Sequence, residues 1–292
     1  MKQILEFQAH DNKVCAVRYS PDGSQLISAG MDALIHFWDA ATWQKTATLS
    51  GHEKSVNCLA FSNKGNILAS GSTDNDIRLW EYPSRKELRI LRSHRNTIAD
   101  MDFSHDDRYL ASCSYDTKVK LWDAASGDLI FTFEEHLKNV SAVAFRQDDR
   151  FLASGGIGGD ILVMDIPGGK LSRRVKGHQG VVVAIKLLPD GKRMASIGYE
   201  GMLRIWSTDT WQEEAAIPLN APRMLPMQIS PNGRLAAIGA DHKIVLVDLA
   251  GKTVAEDFAM PITGIYALSF SPDGKHLACG SADKMVRIFE LE

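Results

Sequence analysis

The sequence has no long apolar run. No stretch approaches the roughly 20 residues that a membrane-spanning helix needs, and the opening MKQILEFQAH is too polar for a secretory signal. Cysteine is scarce: Cys15, Cys58, Cys113 and Cys279 are scattered through apolar segments, none in CxxC spacing. Neither a disulfide framework nor a zinc cluster is expected, and the four read as small buried side chains. Charge of one sign is also missing. Basic residues (33) nearly balance acidic ones (36), for a net charge of −3, without the basic footprint of a duplex-binding surface. Helical periodicity is absent as well. These absences lead to the expectation of a cytoplasmic, all-β chain, monomeric by itself, with no membrane or nucleic-acid partner and no cofactor.

What is present is repetition. The turns Pro21-Asp22-Gly23, Asn63-Lys64-Gly65, Asp106-Asp107, Asp148-Asp149, Pro189-Asp190-Gly191, Pro231-Asn232-Gly233 and Pro272-Asp273-Gly274 recur. Their last positions are spaced by 42 residues five times and then by 41. A second ruler, Trp38, Trp80, Trp122, Met164, Trp206, Val247 and Phe289, keeps the same phase. The repeat units run over about 8–49, 50–91, 92–133, 134–175, 176–217, 218–258 and 259–292, the last joined by 1–7.

Each unit reads as four short strands. In the second, Val56–Phe61, Ile67–Ser70 and Ile77–Trp80 are apolar or alternating runs separated by turn residues, and Glu87–Leu91 follows Tyr82-Pro83-Ser84. Strands with turn signals every 8–12 residues and a fixed period of 40–45 select a propeller of four-stranded antiparallel blades. The fold class expected is all-β, one seven-bladed ring over 1–292. The phase makes Lys2–Phe7 a fourth strand with no blade before it, while the chain ends on a third strand. The N-terminal strand should therefore complete blade seven and cover an open edge.

The chain resembles the WD-repeat propellers over its full length. Trp38-Asp39 and Trp122-Asp123 carry the Trp-Asp dipeptide, loosened to Trp80-Glu81 and Met164-Asp165; Gly51-His52 and Gly177-His178 carry the Gly-His signature. The resemblance implies a hydrogen-bonded tetrad per blade: His10, Ser28, Asp32 and Trp38 in blade one; His52, Ser70, Asp74 and Trp80 in blade two; His94, Ser112, Asp116 and Trp122 in blade three. Blade five has Glu200 in the Asp position, blade four has Gly158 and Met164, and Asn220 and Pro261 replace the His in blades six and seven. On this reading the tetrad is intact only in the first three blades, and blades four, six and seven lean on apolar packing as the softer side.

The resemblance further implies that the function is non-catalytic: a scaffold holding a partner peptide or loop on the top face. Three outward positions per blade face that side. The first offers Lys13, Val181 and Arg223, and the second Val183, Leu225 and Tyr266. The third offers Met31, Tyr115, Ile157 and Tyr199. The large apolar members fall mostly on blades three to six, and exposed aromatic and arginine side chains are the usual anchors of interfaces. The alternatives are an enzyme or small-ligand binder using the central channel, and a reader of charged tails or nucleic acid. Catalysis is disfavoured because the Ser, His and Asp trio repeats in blade after blade, no G-x-S-x-G elbow occurs, and no cluster of carboxylates, His or metal ligands stands out on the first strands. Gly155–Asp160 lacks the phosphate-loop pattern and reads as a turn. His36, His105, His242 and His276 read as isolated positions, and Trp43 and Trp211 as strand starts that either pack or make a secondary contact.

Overall fold

The computed structural model describes residues 1–219, 226–262 and 264–291. Among them are 28 strands and no helix, so no helix is long and apolar enough to cross a membrane. The strands form seven four-stranded antiparallel sheets. Blade one is Val14–Tyr19, Gln25–Gly30, Ile35–Asp39 and Lys45–Leu49, ordered from the channel outward. Blades two to six repeat this order. Blade six, the least regular in sequence, still supplies Met227–Ile229, Leu235–Gly239, Lys243–Asp248 and Thr253–Ala259.

The positions that mark the period are those where the backbone turns left-handed. Gly23, Gly65, Asp107, Asp149, Gly191, Gly233 and Gly274 have φ between 57° and 72°. Glycine adopts this region without penalty and aspartate tolerates it. At Ser20–Gly23 the Gly23 N–H donates to Ser20 O at 2.9 Å, closing a turn whose second position is preset by Pro21. Each left-handed residue also meets the turn of the preceding blade. Gly23 faces Pro272, Gly65 faces Pro21, Gly191 faces Gln147, Gly233 faces Pro189 and Gly274 faces Pro231. Where aspartate replaces glycine, the contact is a polar staple. Asp107 accepts from the backbone of Asn63 (2.6 Å) and Lys64 (2.8 Å), and Asp149 from His105 (2.8 Å) and Asp106 (3.0 Å). His105 is thus no isolated residue, since its ring also bonds Asp149 at 3.0 Å. The contacts pass from blade to blade and return to their start, closing a ring of seven.

Seven apolar clusters fill the seven gaps between neighbouring sheets. The residue at the Trp position is a member in every blade: Trp80 packs with Ile27 and Phe37 of blade one, Met164 with Leu121 of blade three, Phe289 with Leu246 of blade six. Burial there is what joins the blades, at roughly 25 cal/mol per Å² of apolar surface. Trp43 (φ 58°) and Trp211 (φ 59°) sit in left-handed turns between third and fourth strands. Trp211 is buried and Trp43 half-buried, so both pack rather than project as contact sites.

The ring closes on the N-terminal strand. Lys2–Gln8 pairs antiparallel with Met285–Glu290, from Lys2↔Glu290 to Gln8↔Met285, and so becomes the outer strand of blade seven. Its Phe7 lies 4.6 Å from Trp38 between ring centroids, reaching into blade one. Arg287 reinforces the closure, with Nε donating to Glu6 (3.1 Å) and Nη2 to Asp283 (2.6 Å). Blade seven thus adds an ion pair to the apolar packing around Phe289. A guanidinium, 9% exposed, ties its third strand to its turn and to the closing strand.

Asp107→Gly isolates one staple. Glycine removes the cost of φ 61° but forfeits three charge-assisted bonds, from Asn63 N, Asn63 Nδ2 and Lys64 N, so stability should fall by about 1 kcal/mol in a thermal melt. A melting temperature equal to or above wild type would show that the staple contributes nothing.

Candidate functional site

Beneath the top face, His, carboxylate, Ser and Trp form a chain in four blades. In blade three, His94 Nδ1 lies 2.8 Å from Asp116, His94 Nε2 lies 2.8 Å from Ser112 Oγ, and Trp122 Nε1 donates to Ser112 Oγ at 2.9 Å. Blades one and two match within 0.1 Å or so (2.9, 2.8 and 2.9 Å; 2.8, 2.9 and 2.9 Å). Burial pushes His94 below its ordinary value, more than Asp116 raises it, so the ring is neutral. The Nδ1 proton then faces the carboxylate, and Nε2 accepts from the serine hydroxyl. Burial works against ionising Asp116, but His94 and the N–H groups of Arg95 and Lys118 outweigh it and hold the carboxyl at about 2. Every donor is consumed, and the serine oxygen has no freedom to act as a nucleophile.

Blade five corrects the expectation that only three chains are complete. Glu200 reaches His178 at 2.5 Å, and the links through Ser196 to Trp206 are 2.7 and 2.8 Å. The extra methylene has a consequence: Glu200 Oε2 is buried without a partner. In blade four His136 keeps Ser154 (2.8 Å). Gly158 offers its ring no carboxylate, and burial followed by the Arg174 charge pushes it down to about 4. Asn220, at the histidine position of blade six, lies outside the described residues.

Another position was missed in the sequence. The residue two before the Trp position is basic in five blades, His36, Arg78, Lys120, Arg204 and Arg287: Arg78 pairs with Glu87, Arg204 with Glu213 and Arg287 with Asp283, while Lys120 donates to Ser93 and Thr132. His36 is buried, with its ring 4.5 Å from that of His10, and burial followed by the His10 charge lowers it to about 4. With Asp32 these two rings make a cluster of three potential metal ligands, their atoms within 4.8 Å. The geometry does not suit a cation. The rings overlap at only 31° to one another, so their in-plane lone pairs do not converge. His10 spends both nitrogens on Asp32 and Ser28, and His36 Nδ1 bonds Thr48 at 2.9 Å.

Above the tetrads the ring brings the outward positions together around one opening. Met31, Tyr115, Ile157, Tyr199 and Tyr266, with half-buried Val181 and Val183, line a cavity of about 690 Å³ at the mouth of the channel. Ile157 and Val181 also pair as a β-bridge. Lys13 lies 5.6 Å over the Tyr266 ring at its edge. The apolar rim is not confined to blades three to six, because Met31 of blade one and Tyr266 of blade seven continue it. Arg223 and Leu225 lie outside the described residues.

Below this rim the first strands carry a charged set that the sequence reading did not find. Arg18, Asp100 and Lys186 line the same cavity. Lys186 of blade five reaches Asp100 of blade three at 3.3 Å, spanning blade four across the channel. Asp102 and Lys186 line a second cavity of about 170 Å³ toward the opposite end. Asp102 accepts from Phe145 N at 2.8 Å. Burial raises it to about 6, with Lys186 and that N–H acting against the rise and Asp100 adding to it.

Seven sheets, with a buried polar chain from His to Trp in four of them, define a repeat propeller. The WD domain, G-beta repeat family matches residues 1–39, 43–81, 85–123, 127–165, 169–207 and 261–290, and the chain belongs to that family. Its unmatched segment covers blade six, where the sheet forms without the signature. Members generally act as protein-interaction scaffolds and are typically non-catalytic. No curated protein gives a significant match to the sequence.

Asp102 has a pH signature. Its carboxyl titrates at about 6 in the folded chain against 3.8 ordinarily, so between those values the folded state holds a proton that the unfolded chain has released. Stability from this group is fully present below pH ~4 and is lost as pH rises through 6. Asp102→Asn keeps an oxygen for Phe145 N and removes the titration. Chemical denaturation should show the variant gaining about 2 kcal/mol on wild type between pH 4.5 and 7. A difference that does not change with pH would contradict this.

Proposed function

We propose that this propeller is a non-catalytic scaffold that holds a peptide or loop of a protein partner over the channel mouth. The observation that carries the reading is convergence. Of the twelve exposed large apolar side chains among the described residues, five (Met31, Tyr115, Ile157, Tyr199 and Tyr266) line one opening, each 36–45% exposed. Scattered exposed apolar side chains are ordinary, whereas a contiguous set with polar neighbours marks an interaction site. Tyrosine suits the task because it offers a large rigid face and a hydroxyl at modest entropic cost. The rim sits on first strands and short turns, those of Met31, Tyr115 and Tyr199 in blades with a complete tetrad, so little ordering is needed on binding.

Catalysis finds no support in the same geometry. The serines at the mouth donate to neighbours, Ser55 to Asn57 and Ser141 to Val182 O, Asp100 is paired with Lys186, and Asp102 opens on the other cavity.

Tyr115→Ala combined with Tyr199→Ala removes the two largest rim faces while leaving the buried core intact. Affinity capture followed by quantitative mass spectrometry should show a partner retained by wild type and lost by the double variant, with thermal unfolding changed by less than about 0.5 kcal/mol. Unaltered retention of every captured protein would remove the mouth as the docking face.

A further inference from the structure

Blade four keeps the donors of a carboxylate site but not its acid. In blades one to three the same three donors converge on the aspartate: the histidine Nδ1, the N–H of the next residue, and the N–H two residues after the aspartate. Asp74 accepts from His52, Glu53 N and Asp76 N at 2.8, 2.9 and 2.9 Å, and Asp116 from His94, Arg95 N and Lys118 N at 2.8, 2.9 and 2.9 Å. Asp32 is held by the corresponding atoms of His10, Asp11 and Leu34. In blade five the acid arrives on a longer stem, and Glu200 still meets His178 Nδ1. The ring takes a carboxylate whatever the length of the chain that carries it.

In blade four Gly158 stands in the aspartate position, and a side-chain carbon there would meet nothing within 4 Å beyond its chain neighbours. The turn leans toward blade five instead, where Gly158 N donates to Gly180 O at 2.7 Å. His136 keeps the orientation of its counterparts, with Nε2 2.8 Å from Ser154 Oγ. Its Nδ1 has no partner among the described residues and is not sealed from solvent. Leu137 N, the counterpart of Arg95 N, donates to no described residue either. Leu137 is 91% exposed, so the approach is uncovered. The local field suits an anion, because the Arg174 charge acts on the His136 ring more strongly than that of its partner Asp160. Neighbouring donors without an acceptor match the paired oxygens of a carboxylate.

We propose that the place bounded by His136, Leu137 and Gly158 is a binding site for one carboxylate from outside the chain, held by His136 Nδ1–H and Leu137 N–H as His94 and Arg95 hold Asp116. The site does not depend on what docks at the channel mouth. The ligand class follows from the four blades in which the same ring already holds a carboxylate. A phosphate dianion finds no free cation to balance it, since Arg174 is paired with Asp160 at 3.0 Å. A cation would meet two N–H donors.

The test is a titration of the full, isotope-labelled chain with sodium propionate at neutral pH, followed by NMR through histidine-ring and backbone-amide resonances. His136 and Leu137 should shift together and saturate, with a dissociation constant on the order of 10 mM. The rings of His52 and His94, supplied from within the chain, should stay still. Sodium chloride at the same ionic strength should move none of them. His136→Phe keeps a ring against Phe133 and should weaken the Leu137 response at least tenfold. Asp116→Gly strips blade three to the donors that blade four has, so in the folded variant His94 and Arg95 should gain the response. A blocked aspartate, N-acetyl-aspartate methylamide, separates the sources. Binding as tight as that of propionate assigns the place to a side chain of a bound protein, and a response to propionate alone assigns it to a free small acid. No shift at His136, a shift that chloride reproduces, or one shared by His52 and His94 would overturn the site. So would a Leu137 response that survives His136→Phe, or a folded Asp116→Gly chain whose His94 ignores propionate.

Discussion

The first strand of every blade has a sheet neighbour on one side only, and seven such open edges meet around the channel. Unpaired backbone groups at an edge are costly when buried and prone to wrong pairing when exposed. The chain meets this constraint with side chains that cross to the next blade. Ser269 of blade seven accepts from Tyr19 N at 3.0 Å, and Arg18 of blade one donates to Leu59 O. Asp102 of blade three accepts from Phe145 N, and Ser141 of blade four donates to Val182 O at 2.5 Å. Among the described residues no strand of one blade pairs along its length with a strand of another, the Ile157–Val181 bridge between blades four and five apart, so ring integrity depends on these crossings, the turn staples at one end, and the apolar clusters between sheets.

The tetrads serve the same end from the other side of the sheet. Each Trp plugs the gap to the preceding blade, and its N–H is the last link of a chain that starts at a carboxylate on the top face. The carboxylate also accepts backbone N–H groups from the loop leading into its blade, as Asp116 does from Arg95 at 2.9 Å. Packing between blades and loop shape on the binding face are thereby coupled. Where the chain is broken, other devices take over: Arg287 in blade seven, and apolar side chains such as Val245 and Val247 in blade six.

Much of this was legible in the residues, for identifiable reasons. Left-handed turns demand glycine or aspartate, so Gly23, Gly65 and Asp107 announced the period. The Trp positions did so because an apolar side chain, large in six blades and Val247 in the seventh, fills the gap between sheets. What stayed hidden depends on closure or on a few tenths of an ångström. Arg18, Asp102 and Lys186 occupy the same place in repeats one, three and five, yet their convergence exists only once a circle forms. No local pattern distinguishes them from solvated strand residues. Whether Glu200 could stand in for Asp turned on how its longer stem bends toward His178. His36 read as isolated because its neighbour, His10, lies 26 residues away in the loop that leads into blade one.

The central claim is that a segment from the start of the chain holds the circle shut and so keeps the channel edges in place. Native-state hydrogen exchange tests it most directly. Amides of Lys2–Gln8 that pair with Met285–Glu290 should be protected to the same order as those of outer strands elsewhere, such as Leu129–Phe133, and should open with the whole ring. Exchange of the 2–8 segment at the rate of an unstructured peptide, while the rest of blade seven stays protected, would contradict the account.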